Sequence, residues 1–328
     1  TFKTAMAKFS GPGGLIKAGR ELAEALKPEN GRGLMILMTD AVISHDGRYP
    51  LQKMFAAMQE VLGPNVGLLG GNAAYGNKPV YHNDTITTKA IVGLMISGPM
   101  KFKIVQEPGK VKISPELTVT KLAKPNEIVE LDGKPWKEAY KKHLKDYIKP
   151  EEIEAAIAKG GGAFGRIGGL FPYAIVKEHG QLYVRLVHGL SPWGKGTNLP
   201  SECYDLKVGD KIVLTKPADD QVACVRNGMK RLNTGVPVEN PSNKLFLLFP
   251  CQSNSFLLAQ RDRRTKKNLR KEFFEAVLGE LSEGDSAFGF MPCGEHCSPY
   301  EPDKDEKVGE ARYHQLSYPM GVIVTEKE

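Results

Sequence analysis

Apolar residues recur along this chain in two rhythms, short unbroken runs and longer stretches at helical spacing. Leu15, Ala18, Leu22, Ala25 and Leu26 share one face of a predicted helix. The run at 34–38, LMILM, reads as a buried strand, since it is short, unbroken and bounded by glycine and polar residues. Pro50 then opens a second helix, at a position that proline tolerates, with Leu51, Met54, Phe55, Met58, Val61 and Leu62 inward. Buried strands are predicted at 66–69 and 91–96. Between 100 and 130 the pattern shortens and alternates (FKIV, VKI, LTVTKLA), which predicts hairpin strands. Asp132-Gly133 marks a turn. A helix bearing Trp136, Tyr140, Leu144, Tyr147 and Ile148 follows, and Pro150 starts another through Ala158. The glycine-rich run 160–169 is the expected linker and midpoint. Beyond it come strands at 173–176, 182–187 and 212–214, then a helix with Val222, Val225, Met229 and Leu232.

The closing third repeats an earlier order. LFLLFPC at 245–251 corresponds to LMILMTD at 34–40, and a helix at 267–281 to the one at 51–62. AFGFMPCGEH then echoes GLLGGNAAYGN, and RYHQLSYPMGVIV echoes YHNDTITTKAIVGLMIS. The expected fold is therefore α/β, with two pseudo-repeated β-α-β-β halves, mixed central sheets and outer helices. The halves run 1–159 and 160–328. Strand-end loops that face one another across such halves leave a cleft suited to a ligand.

The densest chemistry lies at 287–297, AFGFMPCGEHC, read as a buried strand running into a tight loop. Glu295, directly after Gly294, is poised to face the strand-end cleft and bind a cationic group. Cys293, His296 and Cys297 supply one short metal-type spacing, whereas structural zinc wants two such pairs. Cys251 stands at a strand end with His296 or His314 as an available base, but no nucleophile elbow surrounds it. A cysteine-dependent enzyme is thus the lesser reading, and a non-catalytic protein the main one. The G-x-G-x-x-G at Gly160, Gly162 and Gly165 follows a helix and precedes a strand, the reverse of a dinucleotide fingerprint.

Composition narrows the setting. The chain has 328 residues, 41% hydrophobic and 25% charged, as expected of a soluble globular protein. No apolar run is long enough to span a bilayer, so membrane insertion is not expected. Five cysteines without a regular framework point to a reducing, intracellular compartment, cytoplasm or organelle, with room for a removed targeting segment. The net charge is +7, and seven basic residues crowd 261–271. No aromatics interleave them, which argues against nucleic acid.

The stretches GLLGGNAAYG, VELDGKPWKEAYKKHL, LFLLFPC, GFMPCGEH and RYHQLS, in that order over nearly the whole chain, resemble the FIST domain family. The resemblance makes 1–159 a FIST N-terminal-like and 160–328 a FIST C-terminal-like domain. It implies an intracellular sensory domain that binds a small molecule, amino-acid-like ligands among the candidates, and signals through a protein partner. On this reading the site is lined by Gly70, Gly71, Asn72, Ala73, Cys251, Phe290, Gly294, Glu295 and His314. Asn72 and Glu295 give polar specificity, and the small residues admit a ligand to the backbone. No cofactor is expected. The resemblance offers haem as an alternative, with His314, or His82 in the first half, as its axial ligand. Two departures, QSNSF after Cys251 and the acidic insertion around 301–310, suit a different role. That role is an adaptor or structural subunit with a vestigial pocket.

Overall fold

The computed structural model describes the chain apart from residues 41–49, 74–78, 125–126, 160, 177–181, 186–188, 191–196, 199–205, 237–240, 255–267, 293, 299–307, 315–316 and 327–328. The described residues of 1–107 and 220–328 form one compact unit, and those of 108–219 a second. The division drawn at 159/160 therefore runs through the second unit. Much of the basic run, at 261–267, and most of the acidic insertion, at 301–307, lie outside the described residues.

The first unit begins with β1 (Phe2–Lys8), α1 (Gly11–Leu26), β2 (Gly33–Thr39), α2 (Leu51–Leu62) and β3 (Val66–Asn72). A small hairpin, β4 (Val80–His82) and β5 (Thr85–Thr87), leads to β6 (Ala90–Ile96) and β7 (Met100–Glu107). Helix α1 buries the expected stripe, except that Ala23 turns inward and Ala25 outward. Helix α2 buries Leu51, Met54, Phe55, Met58 and Leu62, as its periodicity predicts.

The second unit holds β8 (Lys110–Lys112), β9 (Leu117–Lys124), β10 (Glu127–Leu131) and β11 (Lys134–Pro135), then three helices. These are α3 (Trp136–Leu144), α4 (Pro150–Lys159) and α5 (Gly161–Leu170). Strands β12 (Tyr173–Val176), β13 (Leu182–Arg185), β14 (Gly189–Leu190), β15 (Thr197–Asn198) and β16 (Lys211–Pro217) complete it. The expected linker is thus helix α5. Glycine in a helix costs about 1 kcal/mol relative to alanine, but the buried Phe164 ring sits 5.4 Å from both Trp136 and Tyr140. Burying an aromatic side chain outweighs that backbone penalty.

The chain returns to the first unit with α6 (Gln221–Thr234), β17 (Pro241–Leu248), α7 (Leu269–Leu278) and β18 (Ser286–Gly289). Strands β19 (Glu295–Cys297), β20 (Arg312–His314) and β21 (Tyr318–Glu326) close it. Two sheets result, one ordered β1-β6-β2-β3-β19-β20 and the other β18-β17-β21-β7. In the first, β2 and β3 run parallel across α2, and β6 and β1 are antiparallel neighbours. In the second, β17 and β18 run parallel across α7, and β21 and β7 are antiparallel neighbours. The four strands of the second sheet thus pair in the same order as β3, β2, β6 and β1 of the first, which carries β19 and β20 in addition. Strand β7 pairs with β21 rather than forming the local hairpin expected of 100–107. Its alternation marks a half-buried strand but does not name the partner.

Apolar clusters show the layering. Leu15, Leu22, Phe55, Met58, Leu37 and Leu68 pack the helices α1 and α2 onto one sheet. Val225, Met229, Phe273, Phe246 and Val322 pack α6 and α7 onto the other. Leu34, Leu69, Ile104, Leu247, Phe249 and Ile323 fill the space between the sheets. Among the described residues no helix is long and apolar enough to cross a membrane.

Candidate functional site

Strand β3 brings Gly70, Gly71 and Asn72 to the carboxyl end of the first sheet, with Ala73 directly after. The end of an open α/β sheet is where ligands usually bind. The backbone N–H of Ala73 donates to the Thr39 carbonyl at 2.7 Å, and that of Asn72 to the Gly294 carbonyl at 2.9 Å. Gly294 adopts φ +94°, a conformation that suits glycine, and so turns the chain into β19. Register then sets Glu295 opposite Gly71 on one side and His314 on the other. His314 is placed by its backbone alone.

The expected loop at 295–297 is therefore a strand, and its residues are buried. Glu295 and His296 are both 0% exposed. Side chains alternate along β19, and they divide accordingly. His296 turns to the helix layer, with its ring 5.1 Å from Phe55 and Nε2 2.8 Å from the Leu37 carbonyl. Facing a carbonyl, Nε2 carries the hydrogen and donates it. Burial pushes this imidazole down to about 4, against a smaller upward pull from the Leu37 hydrogen bond. Cys297 lies in the layer between the sheets, and alternation puts Glu295 on that same side. Burial, then the negative charge of Glu295, raises the Cys297 thiol well above its ordinary range.

Asn72 occupies the opposite face from Glu295, because it neighbours Gly71 in β3. Its side chain pairs with Thr39, whose hydroxyl donates to Oδ1 at 2.5 Å. That bond fixes the amide orientation, and among the described residues the buried Nδ2 group has no partner. One residue along, Asp40 is 4% exposed, and one carboxylate oxygen accepts from the Lys89 backbone N–H. Its Oδ1 is buried and has no partner among the described residues. Burial raises this carboxyl, offset in part by that hydrogen bond and the Lys89 charge.

Cys251 approaches from the second sheet. Its N–H donates to the Ser317 carbonyl at 3.0 Å, and the next residue, Gln252, donates to the Pro292 carbonyl at 2.9 Å. Pro292 in turn packs over Gly71, where any side chain would strike it. The structure therefore gathers Gly70, Gly71, Asn72, Ala73, Gly294, Glu295 and Cys251 around one strand-end corner, with Cys251 reached through Pro292. Cys293 lies outside the described residues.

Phe290 belongs elsewhere. It stacks edge-on against Phe249 at 4.9 Å and lines an apolar cavity of about 420 Å³ with Leu248, Phe273, Val277, Phe288 and Met291. Strand β18, expected to be buried, is exposed along its length. No histidine lines this cavity, and His296 is committed to the Leu37 carbonyl. Among the described residues no three metal-ligating side chains converge.

Asp40, Asn254 and Ser317 were not anticipated at this corner, and His296, expected as an available base for Cys251, turns to Leu37 and Phe55 instead. The pairing of LMILMTD with LFLLFPC sets Asp40 level with Cys251, so a signal for Asp40 was present. Asn254 and Ser317 carry no motif.

Comparison with known proteins finds a family model that matches part of the chain. Residues 1–134 of the 328 fit the model of the FIST N domain. FIST domains are generally sensory, small-ligand-binding modules of signalling proteins. No curated protein matches the sequence. Among solved structures, a cyanuric acid hydrolase from A. caulinodans aligns over 99% of each chain at 12% identity, with a TM-score of 0.19. A score that low carries no argument about fold or activity.

Proposed function

We propose that the chain binds a small polar ligand at the strand-end corner of its first unit and relays occupancy through a partner protein. One observation carries this reading: among the described residues, the buried Asn72 amide and the buried Asp40 carboxylate each keep an atom with no hydrogen-bond partner where β2 and β3 end. Folded proteins leave few such groups unpaired, and each costs about 1–3 kcal/mol. A ligand lying across the strand ends would meet the Asn72 amide N–H on one face and the carboxylates of Asp40 and Glu295 on the other. A zwitterion of amino-acid type offers a carboxylate to the first and a compensating positive charge to the second. The FIST N match over 1–134 supports the same direction. Binding, not catalysis, is the role this assigns to Cys251 and Glu295.

The test is saturable thermal stabilisation by one member of an amino-acid and metabolite panel. Glu295→Gln and Asn72→Ala should each weaken the response at least about tenfold, which corresponds to losing one buried polar contact. A flat panel on well-folded protein overturns the proposal.

A second reading, the non-catalytic adaptor, draws on a different feature. Phe274, Leu278 and Phe288 are 57%, 62% and 58% exposed beside the apolar cavity. Contiguous exposed apolar surface commonly marks a protein contact. Native mass spectrometry at physiological salt decides it, and a strictly monomeric chain that retains no partner rejects it.

A further inference from the structure

The corner after β17 carries a feature that ligand binding at β2 and β3 does not use. Residues 251–254 turn over Ser317, and both Asn254 and Ser317 are buried to 1% exposure or less. The Ser317 carbonyl accepts twice, from the Cys251 N–H at 3.0 Å and from Asn254 Nδ2 at 3.2 Å. The Asn254 N–H closes the turn by donating to the Cys251 carbonyl at 2.9 Å. Only the amide nitrogen can donate to a carbonyl, so the Asn254 orientation is fixed and Oδ1 is the atom left over. Among the described residues that oxygen has no partner, and neither does the Ser317 hydroxyl.

Two idle oxygens on one buried corner ask for hydrogen-bond donors. The Asn254 oxygen can only accept, and the Ser317 hydroxyl can accept with its free lone pairs. An anion offers the Asn254 oxygen no hydrogen, so it cannot satisfy the pair. We infer that Asn254 and Ser317 form a recognition point for an –NH2 or –NH3+ group of the ligand, which would donate one N–H to each oxygen. This rests on ligand binding at the strand ends of the same unit, and it specifies the chemistry of one end of that ligand.

Matched pairs of probes isolate the N–H donors: ethanolamine against choline, and glycine against glycine betaine. Each pair keeps the charge and replaces every N–H with N–CH3. Calorimetric titration and thermal shift on the full chain should show saturable binding of an amine member and at least about tenfold weaker binding of its trimethylated counterpart. Ser317→Ala should erase most of that preference and leave the fold intact, because its backbone carbonyl still serves Cys251 and Asn254. Its ligand-free Tm should hold or rise, since a buried hydroxyl without a partner is removed. A merely structural serine would lower Tm and leave the preference unchanged. Asn254→Ala, checked for folding by circular dichroism, should lose the preference as well.

Equal affinity for both members of each pair overturns the inference and leaves ligand binding standing. So does a preference that survives Ser317→Ala, or a crystal structure in which a lone water bridges the two oxygens with the amine bound. Failure of the whole metabolite panel together with these probes overturns both proposals. Binding of other panel members, with none of the amines bound, overturns this one alone.

Discussion

A buried imidazole beside a carbonyl sets a pH dependence that can be worked out from one residue. His296 titrates near 6.5 in an unfolded chain and near 4 in the fold, because burial disfavours its charged form. Between those values the unfolded chain holds a proton that the folded chain lacks. The contribution of His296 is therefore complete above about pH 6.5 and declines as pH falls toward 4. The decline amounts to about 3 kcal/mol for a shift of this size. Urea unfolding at pH 7 and at pH 4.5 should show it, and His296→Phe should flatten the difference by most of that amount. An unchanged slope in the variant would mean that other groups carry the acid sensitivity. The sequence pattern predicts a tight loop after a buried strand at this histidine. Its neighbours Gly294 and Pro292 do signal a turn, but the turn ends one residue before Glu295, and the pairing partner is Gly71, more than two hundred positions away. Nothing local marks residues 295–297 as a strand.

At the scale of elements, the parts legible in the sequence are those held by local periodicity. Strands β2, β3 and β6 and helices α1, α2, α6 and α7 stand close to where their apolar spacing put them. The misread stretch, α5, is held by a long-range contact: Phe164 is a helical core residue only because Trp136 and Tyr140 are there to receive it. Pairing partners were equally hidden, as β7 and β21 show. One match between the two sheets appears only in three dimensions. Gly70 lies opposite Leu37 in the β2–β3 pair, and Gly289 lies opposite Leu248 in the β17–β18 pair. A side chain at either glycine would run into the carbonyl oxygen of that leucine. A backbone oxygen has no rotamer in which to retreat, so each strand pair is drawn together at a point where only glycine fits. Gly70→Ala and Gly289→Ala should each destabilise the protein by about 1–3 kcal/mol, the usual range for overpacking. Gly70→Ala should cost the more, since φ at Gly70 is +152° as well. Chemical denaturation measures both, and a neutral result at either position would show that the strands are free to part.

At the scale of the whole molecule, the chain builds its first unit in two passages. The first passage, β1 to β6, is continuous apart from the β4–β5 hairpin, whereas the second is interrupted between β7 and α6 by the entire 108–219 unit. That unit has its own apolar core, built on Trp136, Tyr140, Phe164, Tyr173, Ile212 and Leu214. Its entry and exit are adjacent, with the Ala218 N–H donating to the Gly109 carbonyl at 3.1 Å. An insertion whose ends meet does not stretch its host when removed, and termini that lie close together are tolerant of such surgery. The receiving side is also self-sufficient. Asp220 caps α6 by accepting from the Ala223 N–H at 2.8 Å, and Glu107 at the end of β7 pairs with Arg231 of that helix at 2.6 Å. A chain in which a short glycine-serine linker joins Glu107 to Asp220 should fold, give a cooperative thermal transition, and retain any ligand response of the full protein, because every proposed contact from Asn72 to Ser317 lies in the first unit. Loss of folding would show that the two units depend on one another for stability. Retained folding with a lost ligand response would place part of the recognition in residues 108–219.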